Sequence, residues 1–138
     1  MTANRLSYYF GFHGPSLATD TACSSSATAL YLAVQSLLSD ECTMAVCGAV
    51  NAVIYPYETM IMCKGGVLSP TGRCKPLDEN ADGYVRSDGA TIFVLKKLKK
   101  AIEDGDNIHT VIRSVSGAHD GKASNIGFLK ISQKYFKK

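Results

Sequence analysis

No apolar run long enough to cross a bilayer, about 18 residues, occurs in this 138-residue chain. A membrane helix is therefore not expected. Met1 to Arg5 lack the charged stretch and apolar core of a secretory signal, so a cytoplasmic setting is expected. Nor is there a C-x-x-C pair among the five cysteines, and His13, His109 and His119 do not fall into ligand spacing with them. That odd count and these spacings argue against a disulfide framework and against a metal site. An arginine-rich stripe with interleaved aromatics is also missing, which removes nucleic acid from the expected partners. The net charge of +3 is not a groove but a tail: five lysines and no acid lie between Lys122 and Lys138. The other residues carry 10 basic and 12 acidic side chains. Internal repeats and low-complexity segments are absent too, and the length fits one domain or part of a larger one.

What is present reads as alternating strands and helices, an α/β pattern. Leu6 to Phe12 is aromatic-rich and stops at the turn signal His13-Gly14-Pro15. Ser16 to Thr21 reads as a short strand. Leu30, Ala33, Val34, Leu37 and Leu38 recur at i, i+3, i+4, i+7 and i+8, which makes one apolar helix face. Ser24 or Ser25 can cap that helix and Ser39-Asp40-Glu41 closes it. Met44 to Val53 is small and apolar, the pattern of a strand covered on both faces in a parallel or mixed sheet. Tyr57 to Cys63 and Leu98 to Glu103 suit short helices. Ala90 to Leu95 and Thr110 to Ser116 suit strands, and Lys64 to Gly83 is a long loop.

Two segments are dense enough to carry chemistry. In Asp20-Thr21-Ala22-Cys23-Ser24-Ser25-Ser26 a cysteine ends an apolar segment and starts a helix. The helix macrodipole favours a thiolate there, the backbone N–H of Cys23 is open to donate to an oxyanion, and the small serines leave room for a substrate. The other reading of Cys23 is a small packing residue at a strand–helix junction. A hydrolase elbow needs glycines two residues before and after its nucleophile, where this chain has Thr21 and Ser25. Cys42, Cys47, Cys63 and Cys74 read as packing residues, and the three histidines as loop or surface residues. The second segment, Asp82-Gly83-Tyr84-Val85-Arg86-Ser87-Asp88-Gly89-Ala90, precedes a strand rather than a helix, so a phosphate cradle is not expected. Asp82, Arg86 and Asp88 are expected to form one polar network bracing the loop.

The cysteine segment resembles the active-site motif of β-ketoacyl synthases, especially the ketosynthase domains of type I polyketide synthases and animal-type fatty acid synthases. Thr2-Ala3-Asn4-Arg5-Leu6-Ser7 and Gly14-Pro15-Ser16 resemble the family's approach to its nucleophile. Leu68-Ser69-Pro70-Thr71-Gly72-Arg73-Cys74-Lys75 and Asp82-Gly83-Tyr84-Val85-Arg86 resemble a later loop. The resemblance implies a thiolase-like layered α/β fold, present here in part over residues 1–121, with a divergent Lys-rich tail over 122–138. It implies decarboxylative Claisen condensation with Cys23 as catalytic nucleophile. The substrates would be phosphopantetheine thioesters on an acyl carrier protein, the full domain would be a homodimer, and no cofactor or metal would sit in this part.

The departures from the family pattern shape the expectation. The family's two histidines lie in H-G-T-G-T and N-x-G-H motifs that this sequence does not contain, so none of its three histidines inherits their role. Ser87-Asp88-Gly89-Ala90-Thr91 stands where the family has Gly-Glu-Gly-Ala-Gly. No substrate-binding residue is named by the resemblance. The expectation is a ketosynthase portion that can be acylated at Cys23 but cannot complete a turnover alone. The alternative is a non-catalytic interaction module, or a truncated product, that pairs with a full-length homologue through an open strand edge.

Overall fold

A computed structural model describes residues 2–119 and 121. The segment 122–138, read as a divergent tail, lies outside the described residues. Six elements follow in chain order: α1 (Thr2–Phe10), α2 (Ser25–Leu38), β1 (Met44–Asn51), α3 (Pro56–Lys64), β2 (Gly89–Lys96) and α4 (Leu98–Glu103).

Local chemistry explains where these elements stop. α1 ends because Gly11 takes a left-handed conformation (φ 65°), and the Phe12 N–H then donates to the Ser7 carbonyl at 2.8 Å. That is a Schellman closure. α2 closes in the same way with Asp40 (φ 61°) in the left-handed position and the Glu41 N–H donating to the Ser36 carbonyl at 3.0 Å. α3 starts with Pro56 in its first turn, where a missing N–H costs nothing.

β1 and β2 form a two-stranded antiparallel sheet in which Cys47 faces Phe93 and Gly48 faces Ile92. The sequence expectation is a parallel or mixed sheet; the pairing of β1 with β2 is antiparallel, which a mixed sheet accommodates and an all-parallel one does not. An apolar run records burial, not direction. Side-chain alternation divides the sheet into two faces. Cys47 is buried on the face met by α2, which packs mainly on β1. The opposite face carries Val46, Val50, Ile92 and Val94, which are 45%, 74%, 67% and 64% exposed. The expected cover on both faces is therefore not there: one helix layer covers one side. The buried apolar side chains among the described residues are Leu37, Cys47 and Ala101, from α2, β1 and α4.

Two expected strands do not form. Ser16 to Thr21 and Thr110 to Ser116 pair with neither strand of the sheet, and a segment without a ladder partner gains nothing from strand geometry. α1, by contrast, is a helix where the sequence showed only an aromatic-rich segment. Its apolar residues Ala3, Leu6 and Phe10 share one face, but none of the helix's residues is buried.

Candidate active site

The segment Asp20–Ser26 folds into a tight turn whose side chains are hydrogen-bonded to one another. Asp20 begins it: its carboxylate accepts from the Ala22 N–H at 3.0 Å. Ala22 then adopts φ 54°, a left-handed conformation uncommon for a residue with a Cβ. The strain is offset by a dense set of local bonds. The Ser25 N–H donates to the Ala22 carbonyl at 3.1 Å and its hydroxyl to the same oxygen at 2.6 Å. The Thr21 N–H donates to Ser25 Oγ at 2.9 Å, and Ser24 Oγ donates to the Thr21 carbonyl at 2.8 Å. Thr21 Oγ1 also lies 3.0 Å from Thr28 Oγ1, which ties the turn to the first turn of α2.

The hydroxyls of Ser24 and Ser25 thus serve the turn more than the helix end. Ser24 occupies the N-cap position but makes no side-chain cap bond. Its hydroxyl points back to Thr21, and this corrects the expected capping role of Ser24 or Ser25. The result of this bracing is that Cys23 stands exposed just ahead of α2, with its N–H lacking an acceptor among the described residues.

Cys23 opens onto a cleft of about 670 Å³. Its lining includes Cys23 and Ser26, the ends of β1 and β2 at Asn51 and Gly89, Met62 from α3, and Val85. The other four cysteines are placed differently. Cys47 is buried, and burial pushes its thiol above the ordinary range. Cys63 and Cys74 are exposed and Cys42 half-buried, so the expected packing role holds fully only for Cys47. Cys74 Sγ accepts the Val85 N–H at 3.1 Å. None of the three histidines lines the cleft. Among the described residues no group of His, Cys, Asp and Glu is placed to hold a metal.

The second dense segment is braced, but not as one network. Asp82 accepts from Lys75 Nζ at 2.7 Å and Ser69 Oγ at 2.8 Å. These bonds, the lysine's foremost, hold its carboxyl below the usual carboxylate range. Arg86 instead reaches α3, donating from Nη2 to Glu58 Oε2 at 2.7 Å and from Nη1 to Thr59 Oγ1 at 2.8 Å. Asp88 accepts the Val53 N–H at 2.5 Å, and Asn51 Nδ2 donates to the Ser87 carbonyl at 2.6 Å. The expectation of a shared network of Asp82, Arg86 and Asp88 is therefore corrected: each anchors the loop to a different neighbour. Sequence reasoning missed Glu58, Thr59 and Met62. They sit in α3, far along the chain from Arg86, and no local pattern marks a pairing at that separation.

Comparisons with known proteins identify the family. Residues 1–101 match the family described as Beta-ketoacyl synthase, N-terminal domain. Probable polyketide synthase 1 from Dictyostelium discoideum is 50% identical over 125 residues, which is 91% of this chain and 4% of that protein. Polyketide synthase PksL from Bacillus subtilis (strain 168) is 47% identical over 122 residues, 88% of this chain and 3% of that protein. The oxazolomycin ketosynthase domain of Streptomyces albus JA3453 superposes with a TM-score of 0.73 at 47% identity, covering 76% of this chain and 19% of that one. The ketosynthase from module 6 of the bacillaene synthase of Bacillus subtilis 168 does so with a TM-score of 0.74 at 44% identity, covering 77% and 19%. The chain thus spans only a small part of each relative. The neighbours are ketosynthase domains, so the layered α/β arrangement is part of the thiolase-like fold. With 101 residues matched to the family and half the positions shared with a polyketide synthase, this chain belongs to the β-ketoacyl synthase family, in its N-terminal domain.

Proposed function

We propose that Cys23 is the acyl-accepting nucleophile of a ketosynthase unit, and that residues 1–121 are the part of that unit which carries it. The observation that carries this reading is the exposed thiol at the braced turn ahead of α2, open to the cleft. Sγ of Cys23, as thiolate, would add to the carbonyl carbon of an acyl thioester. The oxyanion that forms meets the open N–H of Cys23. Collapse expels the thiolate of the donor, which takes up the proton that Cys23 lost. The acyl group ends on Sγ, and no oxidant or metal enters the balance. Thioester exchange between thiols of similar basicity needs no strong base, which suits a cleft without histidine.

The donor we assign is phosphopantetheine on an acyl carrier protein, since the relatives are polyketide synthases. Carbon–carbon bond formation, by attack of a decarboxylated malonyl-type extender on the Cys23 thioester, we assign to the longer protein in which such a unit works as a homodimer. The five free thiols support a reducing, cytoplasmic setting. Incubation with an acetyl or hexanoyl thioester, followed by intact mass and peptide mapping, tests the reading. One adduct on Cys23 is expected; an adduct that persists in Cys23→Ala contradicts it. A non-catalytic pairing role is favoured only by the bare sheet face, and it predicts no acylation at all.

A further inference from the structure

The lining of the Cys23 cleft includes two separate pieces of chain, α3 at Met62 and the segment from Tyr84 to Ser87. Something has to hold them at a fixed spacing. Arg86 links them directly: its guanidinium donates to Glu58 and to Thr59, both in the first turn of α3. Only 13% of the Arg86 side chain is exposed, whereas Glu58 is 66% exposed, so the arginine is the embedded partner. Met62 lies four residues after Glu58 and three after Thr59, one helical turn along the same face of α3. It is the α3 residue that lines the cleft. The other end of the segment is fixed independently by Asn51 to the Ser87 carbonyl and by Asp88 to the Val53 N–H. Arg86 itself lines the cleft, and both of its side-chain bonds go to α3.

We propose that Arg86 is a positioning residue: its two-pronged bond to Glu58 and Thr59 clamps α3 to the Tyr84–Asp88 segment and so sets the width of the cleft in which Cys23 receives its acyl group. The planar guanidinium suits this task because its fork grips two acceptors at once, which a lysine ammonium on a flexible stem does not reproduce. With the clamp in place Met62 and Val85 face the acyl chain and favour longer chains. With the clamp open that apolar contact is lost while the thiol and its turn stay as they are. The inference rests on Cys23 being the acyl acceptor.

The test uses the full 138-residue chain with acetyl, hexanoyl and decanoyl thioesters of N-acetylcysteamine, together with iodoacetamide, and measures the rate at Cys23 for each. The readout is the ratio of decanoyl to acetyl rates. It is expected to fall about tenfold in Arg86→Ala, in line with the discrimination that apolar contacts of this size give. It should fall less in Arg86→Lys, and also in the double variant Glu58→Gln with Thr59→Val, which leaves the arginine itself untouched. A ratio that is unchanged, or a fall equal for iodoacetamide and every thioester, overturns the positioning role. Absence of any acylation at Cys23 in the unaltered chain overturns the nucleophile assignment first, and this inference with it.

Discussion

At the residue scale, reactivity here is a property of placement. Cys23 and Cys47 are the same side chain in opposite settings, one exposed beside a cleft and one buried behind α2. The difference predicts a rank order: iodoacetamide should modify Cys23 fast and Cys47 only on unfolding, read by peptide mapping over time. Gly83 makes a second residue-scale case. Its φ of 137° is outside the range of L side chains, and a Cβ there would lie 2.5 Å from the backbone of Leu68 and Ser69. Gly83→Ala should therefore destabilise the chain by about 3 kcal/mol, from backbone strain and collision together. A denaturant midpoint unchanged from the parent would refute that. Asp82 gives a pH dependence. Its folded-state carboxyl ionises below its ordinary value because Lys75 and Ser69 bond its charged form. Its contribution is thus present above the unfolded pKa and lost as pH falls through the folded one. Protease cutting of the 67–83 loop should rise below about pH 4, and Asp82→Asn should show the fast cutting at neutral pH as well.

At the element scale, the chain shows which parts of a fold are written locally. α2 was legible because Leu30, Ala33, Val34, Leu37 and Leu38 mark one face, and β1 and β2 because small and apolar residues run on without charge. The nucleophile turn was legible from its residue types. What could not be read was pairing. The antiparallel register of Cys47 with Phe93 depends on contacts across 46 residues, and apolar runs carry no direction. Ser16–Thr21 and Thr110–Ser116 have strand-like composition without a partner, so composition alone misled. Arg86 was visible as a polar residue in a dense motif, yet its acceptors on α3 carry no local mark. Gly48 shows how tightly the sheet is specified. A Cβ on it would run into the Thr91 carbonyl and press within 3.1 Å of Ile92. Gly48→Ala should cost about 2 kcal/mol and slow amide-exchange protection should vanish first in β2.

At the scale of the whole molecule, the chain has more apolar surface than it can cover. Val46, Val50, Ile92 and Val94 form one open face of the sheet, and both outer strand edges are unpaired among the described residues. Such a face drives association. The 14.8 kDa chain should elute from a sizing column ahead of its monomer position, and Val94→Lys with Ile92→Lys should shift it back. Chemistry and association can be tested separately, since Ile92 and Val94 lie outside the lining of the Cys23 cleft. The measurement that bears most directly on the central claim is therefore acyl transfer itself. Mixed with a hexanoyl thioester and analysed by intact mass and peptide mapping, the chain should gain a single acyl group on Cys23, and Cys23→Ala should gain none. Acylation that persists in Cys23→Ala, or that falls instead on the exposed Cys63 or Cys74, would contradict the account.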